Sequence, residues 1–302
     1  MPQTKREIVT LLEAAGAKPN RRLGQHFLID GNLMRKLVEA AEIPAEAVVL
    51  EVGPGTGSLT EMLVERAGYV VAVEADRTLA GIVRERLGDC GNLTLVEGDA
   101  LANKNRLSPE LVTAVRNLTS SSSTALLLVA NLPYQIASPL VIDLLLSDLG
   151  VQRLCFSVQK EVAERIASPA GRKSYGPLSI IVQALCEVRH VAELPASVFW
   201  PRPQVASSML RLDVDAARRA RIADVPRFVN VVRTAFQHRR KTLMHALGAL
   251  YGEKKLDAES HVALDAFDLS RRPEQLAVDE WIALAARLPV ERHRAIRTDA
   301  DS

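Results

Sequence analysis

Val48-Val-Leu-Glu-Val-Gly-Pro-Gly-Thr-Gly57 passes from a short β-branched run into a glycine-rich turn, and a helical pattern begins at Ser58. A strand that is apolar on both faces belongs in a parallel sheet covered by helices on both sides. Glycines in the turn allow the backbone to come close to a neighbour or a ligand, and the helix that follows leaves its first N–H groups unpaired. In an open α/β sheet, a turn at the carboxyl end of a strand is where ligands sit.

Downstream the same alternation repeats. Tyr69–Val73 reads as a strand, followed by a helix through Leu79 to Leu87. Leu93–Val96, Ala125–Ala130 and Arg153–Val158 continue the series, and the first helix is expected to run from Ser58 to about Ala67. Strands alternating with helices of these lengths predict a parallel sheet in an α/β fold. Residues 102–124 form a long connection, with Ser108 as N-cap and Pro109 in the first turn of a helix. The serine tract 120–123 in it is low-complexity and reads as a solvated loop. At the N-terminus, Thr4 and Glu7 stand in capping-box relation ahead of a short helix, with Gly16 near its stop.

After Asp213 the strand pattern gives way to helical stretches: Val225–His238, Arg240–Leu250, Ala258–Ala266 and Pro273–Leu288. The expectation is an α/β domain over residues 1–213 and a small all-helical domain over 214–302. The 302 residues can bury a substantial core, and a net charge of +2 is too small to indicate a nucleic-acid partner without looking at its distribution. Cys90, Cys155 and Cys186 are far apart and lack metal-ligand spacing, so neither a disulfide framework nor a zinc site is expected. Apolar runs are too short to span a bilayer, and charged Lys5, Arg6, Glu7 and Glu13 do not suit a secretory signal. A monomer in a reducing cytoplasm is the expectation.

The chemistry concentrates at strand ends. Glu74 closes the second strand 21 residues after Gly53, where a carboxylate would grip a ribose diol. Two nucleotide-type cofactors fit this much. A dinucleotide site wants G-x-G-x-x-G, yet the third position is Ser58; the offset Gly57, with Glu51 ahead of the first glycine, suits S-adenosylmethionine better. Asp99, after Gly98, can accept from an adenine amino group at the end of the third strand. At the end of the fourth comes Asn131-Leu132-Pro133-Tyr134. There an amide oxygen and a backbone carbonyl can accept both N–H bonds of an amino group on a planar ring. Proline stiffens the turn, and Tyr134 offers a stacking face. Singly, these are turn glycines, a surface glutamate, an Asx turn and a strand exit; together they form a constellation.

The chain resembles the KsgA/RsmA family of ribosomal RNA adenine dimethyltransferases nearly end to end. The resemblance rests on Leu23-Gly-Gln-His-Phe-Leu-Ile-Asp30, Glu51–Thr60, Gly98-Asp-Ala-Leu101, Asn131–Ile136 and Val158-Gln-Lys-Glu-Val-Ala-Glu-Arg165. It continues through Tyr175-Gly-Pro-Leu-Ser179, Val198-Phe-Trp-Pro-Arg-Pro-Gln-Val205 and Arg239-Arg-Lys-Thr-Leu243. It implies a class I, Rossmann-like fold that uses S-adenosylmethionine. His26, Leu28, Gly53, Gly55, Glu74, Asp99 and Asn131 would line the cofactor site. Asn131, Leu132, Pro133 and Tyr134 would hold the target adenine, with Phe199 as a second aromatic wall and no metal. Bacterial members usually carry Asn where His26 stands, and Gln135 replaces a frequent Asn.

By the same resemblance the substrate is a pair of adjacent adenosines in a hairpin near the 3′ end of small-subunit ribosomal RNA, and the partner an immature small subunit. From Arg218 to His245, eight Arg/Lys residues face one acid, Asp224. Arg239, Arg240 and Lys241, with Arg21 and Arg22 beside the Gly-Gln-His-Phe-Leu block, are candidate phosphate contacts. Arg172 and Lys173 form another basic pair. Rival readings are an Erm-type enzyme acting on large-subunit RNA, a DNA adenine methyltransferase (disfavoured by Leu132, where Pro would be usual), and an assembly factor whose main role is binding.

Overall fold

The computed structural model describes residues 2–20, 24–103, 106–119, 124–257 and 264–289. Arg21, Arg22, the serine tract 120–123 and most of the helix expected over Ala258–Ala266 lie outside the described residues.

A seven-stranded sheet organises the α/β unit. Its strands, in chain order, are β1 (Val48–Val52), β2 (Tyr69–Glu74), β3 (Leu93–Glu97), β4 (Leu126–Asn131), β5 (Val151–Gln159), β6 (Cys186–Leu194) and β7 (Ser207–Val214). Their spatial order is β3-β2-β1-β4-β5-β7-β6. The first five in that order run parallel, and β7 lies antiparallel to both β5 and β6. The sheet is therefore mixed: the expected parallel series is present, with an antiparallel edge added. β1 and β4 are neighbours whose onward connections lead to opposite sides of the sheet. That is the switch point where an open α/β sheet leaves a crevice at its strand ends.

The helices of this unit include α1 (Lys5–Ala14), α2 (Gly31–Ala41), α3 (Ser58–Val64), α4 (Arg77–Leu87), α5 (Pro109–Leu118) and α6 (Ala137–Leu146). Their ends follow from local chemistry. Thr4 and Glu7 cap α1 reciprocally, Asp30 and Asp76 cap α2 and α4, and Ser108 caps α5 ahead of Pro109. On one face of the sheet, Met34, Leu37 and Val38 of α2 and Leu63 of α3 pack with Val49, Val129, Cys155 and Met209. Ile8 and Leu12, one turn apart on α1, bury against Phe27 and against Leu79 and Ile82 of α4.

The compact units do not follow a single cut at 213/214. One comprises Met1–Ala167 with Leu185–Asp215; the other joins Ser168–Ala184 to Ala216–Ser302. The reason lies in the second unit's core. Tyr175 donates its hydroxyl to the Leu276 carbonyl at 2.9 Å and meets Phe236 edge-on, and Phe236 packs against the fully buried Trp281. The segment bearing Tyr175 thus belongs to the helical unit.

In that unit Val225–Gln237 is helical, close to expectation. The next helix starts at Leu243, not Arg240, because Thr242 takes the extended cap conformation. The stretch expected as one helix from Pro273 is a 3-10 turn, Pro273–Gln275, followed by the helix Val278–Arg287. Among the described residues no helix is long and apolar enough to cross a membrane.

Candidate active site

The turn after β1 is held open by conformation. Gly53 and Gly55 have φ of 77° and 63°, in the left-handed region that glycine adopts freely. A Cβ on Gly53 would stand 2.9 Å from Pro133 Cγ, and one on Gly55 2.9 Å from Phe27 Cε1. The glycines therefore let this turn lie against both the Asn131–Tyr134 loop and the segment before α2. The far side of the turn is tied down as well. The Thr56 carbonyl accepts from Arg86 Nη1 and from Gln3 Nε2, and the Thr56 hydroxyl donates to Gln3 Oε1 at 2.6 Å.

Glu74, at the end of β2, is buried and bridges two backbones. Its Oε2 accepts the Gly55 N–H at 3.1 Å and its Oε1 the Asp76 N–H at 2.9 Å. Burial raises its pKa, and the two backbone donors oppose the rise. An ionised carboxylate has about four acceptor positions, so two remain after these bonds, enough for a diol.

Glu51 is 1% exposed, and its Oε2 accepts no hydrogen bond from the described residues. Burial pushes its carboxyl up to about 8; the Thr60 hydroxyl opposes the rise and the nearby charge of Glu74 adds to it. A buried carboxyl lacking a partner on one oxygen, on the wall of a crevice, leaves a hydrogen-bonding position open to a ligand. Asp99 lines the same crevice from an exposed turn, where its Oδ1 accepts the Leu101 N–H at 2.9 Å.

The part of the crevice wall against which the glycine turn lies is built from neutral groups. Asn131 ends β4. Its Nδ2 donates to the His26 carbonyl at 3.0 Å, and its Oδ1 accepts from the Ser157 hydroxyl at 2.5 Å. A carbonyl can only accept, so the first contact fixes which end of the carboxamide is nitrogen. The Leu132 N–H donates to the Ser157 carbonyl at 3.2 Å, and the Pro133 carbonyl accepts from Ile136 N–H at 3.2 Å, closing the turn. The Tyr134 hydroxyl shares a 2.7 Å hydrogen bond with Ser207 on β7, and burial raises its pKa.

His26 is held by two neighbours. Its ring stacks on Tyr134, with centroids 5.3 Å apart and planes at 29°. Its Nδ1 lies 2.7 Å from the Pro201 carbonyl, so Nδ1 carries the proton and Nε2 is the nitrogen left over. Gln25 beside it donates to Asp76 Oδ2 at 3.0 Å, anchoring the segment to the start of α4.

The structure thus brings His26, Leu28, Gly53, Gly55, Glu74 and Asp99 into one crevice with Asn131, Leu132, Pro133 and Tyr134. Phe199 is not on that wall. It pairs with Leu28 across a two-residue antiparallel ribbon, and its side chain is 2% exposed within the core cluster. The aromatic ring beside Tyr134 is His26.

Arg239 is half-buried, with its guanidinium 3.4–3.5 Å from the Lys173 carbonyl, while Arg240 and Lys241 are exposed in the turn that follows. The helical unit therefore gathers Arg172 and Lys173 with Arg239, Arg240 and Lys241, which are distant in sequence. Ser157 and Ser207, the buried supports of the Asn131–Tyr134 loop, escaped sequence reasoning. Ser157 has one sequence signal, a small polar residue inside the apolar stretch Leu154–Val158, and Ser207 has none. Among the described residues no His, Cys, Asp and Glu cluster suits a metal ion.

Comparison with known proteins agrees with this geometry. The description "Ribosomal RNA adenine dimethylase" matches residues 16–286. A Moorella thermoacetica protein named ribosomal RNA small subunit methyltransferase A is 38% identical over 93% of this chain and 96% of its own. A Pediococcus pentosaceus protein of the same name is 37% identical, covering 93% of each chain. Among solved structures, a dimethyladenosine transferase from Plasmodium falciparum superposes with a TM-score of 0.69 at 25% identity, over 84% of this chain and 94% of that one. The 23S rRNA methyltransferase ErmE gives 0.61 at 25% identity, over 87% and 99%. With its class I methyltransferase fold and a family match over most of its length, this chain belongs to the ribosomal RNA adenine dimethylases.

Proposed function

We propose that the protein transfers methyl groups from S-adenosylmethionine to N6 of two adjacent adenosines in the 3′-terminal hairpin of small-subunit ribosomal RNA, giving dimethyladenosines late in subunit assembly. The observation that carries this reading is the Asn131 carboxamide, held at both ends and set in one crevice with the glycine turn and Glu74.

The residues fit the cofactor. The glycine turn lets the backbone line the crevice, Glu51 offers an unpartnered carboxyl oxygen, Glu74 has acceptor positions for a ribose, and Asp99 suits an adenine amino group. His26 and Leu28 close the crevice from the N-terminal segment. S-adenosylmethionine supplies an electrophilic methyl on a sulfonium, which leaves as a neutral thioether.

The remaining work falls to the protein. Adenine N6 is a poor nucleophile because its lone pair is delocalised into the ring. Asn131 Oδ1 and the Leu132 or Pro133 carbonyl accept its two hydrogens, favour a more tetrahedral nitrogen and direct the lone pair along the line of displacement. With the cofactor bound, the N–CH3 bond would form as the S–CH3 bond breaks, and the cationic nitrogen would then give its proton to water, with no dedicated base required. Tyr134 supplies a stacking surface worth about 1–3 kcal/mol, on the face opposite His26. The base must be unstacked to reach it, which suits a hairpin loop. Arg239, Arg240 and Lys241, joined by Arg172 and Lys173 and by Arg21 and Arg22, would track phosphates. The protein would act as a cytoplasmic monomer on an immature small subunit.

Transfer of labelled methyl groups to undermethylated small subunits, with large subunits in parallel, tests the reading after nuclease digestion and mass spectrometry. Dimethyladenosine at two adjacent small-subunit positions is the expected result. Label confined to large subunits would move the protein to the Erm-type activity. Tight subunit binding without transfer would make it an assembly factor.

A further inference from the structure

We infer that Ser157 is a positioning residue for the methyl transfer, acting through Asn131, and that its hydroxyl matters most for the second of the two methyl additions to each nitrogen. The inference rests on the proposed adenine N6 dimethylation.

Ser157 lies opposite Asn131 in the β4–β5 ladder and is fully buried. The strand around it, Leu154-Cys-Phe-Ser-Val158, is otherwise apolar. A buried hydroxyl needs a partner, and this one spends its donor on Asn131 Oδ1 at 2.5 Å. The other end of the same carboxamide donates to the His26 carbonyl at 3.0 Å. Pinned at both ends, the carboxamide can neither flip nor rotate. One lone-pair position of Oδ1 is taken by Ser157, which leaves one for a substrate N–H. Through its own carbonyl Ser157 also accepts the Leu132 N–H, fixing the peptide next to the second candidate acceptor. Replacing the side chain disturbs the first arrangement and leaves the second in place.

The two methyl additions differ in how much they need this. An unmethylated amino group presents two N–H bonds, so it is held by two acceptors and tolerates some play in one. A monomethylated amino group presents a single N–H. Which acceptor holds it, and at what angle, then decides whether the lone pair or the methyl group faces the incoming carbon. A loose Asn131 therefore costs more at the second step. The bond changes are those of the first: N–CH3 forms, S–CH3 breaks, and the cationic nitrogen gives its proton to water.

The test compares wild type, Ser157→Ala and Ser157→Cys on undermethylated small subunits. Products are resolved by mass spectrometry into mono- and dimethyladenosine, with cofactor affinity and Tm measured on the same preparations. Ser157→Ala is expected to keep cofactor affinity within about twofold, to lower kcat about tenfold with little change in KM, and to accumulate monomethyladenosine. Ser157→Cys, close in size and a weak donor, is expected to fall between; it also carries the test if the alanine variant does not fold. A wild-type mono-to-di ratio in a folded variant, or a loss confined to KM or to Tm, overturns the inference. If wild type itself makes no dimethyladenosine, the functional reading fails instead, and the two failures are distinguishable.

Discussion

Two parts of the crevice wall are made of different materials. In one, Glu51, Glu74 and Asp99 present carboxyl groups around a turn shaped by glycine. In the other, Asn131 and Tyr134 are neutral, held by the neutral hydroxyls of Ser157 and Ser207 and by the His26 backbone. The contrast matches what each end would hold. A cationic cofactor with a ribose calls for carboxylates, whereas a neutral adenine calls for fixed acceptors that do not take its proton. On the proposed function, catalysis at the neutral end would be positioning, and affinity at the carboxyl-lined end would come from hydrogen bonding and backbone fit.

Removing the fixed acceptor breaks the neutral end most directly. Asn131→Ala is expected to lower methyl transfer about a hundredfold or more while subunit binding persists, measured by label incorporation and by co-sedimentation. A variant that still binds and fully supports assembly would make binding the primary role.

At the charged end the corresponding change is steric. Gly55→Ala would place a methyl group 2.9 Å from the Phe27 ring at a φ of 63°. Such strain costs about 1–3 kcal/mol, so a lower Tm and roughly tenfold weaker cofactor binding are expected by calorimetry. Unchanged cofactor affinity would show that the turn does not form the cofactor's cradle.

How much of this contrast could be read from the sequence depends on range. The charged end was legible because it is local: strand, glycine turn and helix follow one another, and Glu74 and Asp99 each end the next strand. The Asn131–Tyr134 loop was legible for the same reason. Its supports were not. Ser157 and Ser207 reach it only through strand pairing, and β7, with Ser207, Ser208, Arg211 and Asp213, lacks a clean apolar pattern although most of it is buried. β6 is an edge strand whose exposed charged residues dilute the same signal. Phe199 read as a wall because aromatic character is visible in sequence, while the ribbon pairing that turns it into the core is not. The 213/214 cut missed Ser168–Ala184 because Tyr175 joins Phe236 and Leu276 only in three dimensions.

Titration sharpens the contrast further. The buried Glu51 carboxyl holds its proton up to about 8, against an ordinary value of 4.5. The folded protein therefore binds more protons than the unfolded chain between those values. The associated stability is complete below 4.5 and is lost as pH rises through about 8. Glu51→Gln removes this dependence. Denaturant unfolding from pH 6 to 9 should show wild type losing on the order of 1–3 kcal/mol more than the variant. The titration of Glu74 is common to both proteins. Equal pH slopes would mean that Glu51 is ionised throughout.

Tyr134→Phe is the mildest intervention and separates the ring from its tether. The ring keeps its stacking surface and its contact with His26, while the fully buried Ser207 loses the 2.7 Å bond to the phenol. A buried hydroxyl left unsatisfied costs about 1–3 kcal/mol, so a lower Tm is expected. If Tyr134 acts only by presenting its face, transfer should fall by no more than about threefold, because stacking rather than the hydroxyl holds the base. Tyr134→Ala, which removes the face, should then be far more damaging. A tyrosine-to-phenylalanine loss as large as that of Asn131→Ala would instead show that the Ser207 tether aims the loop. Positioning at the neutral end would then extend across the sheet from β5 to β7, through two serines in place of one.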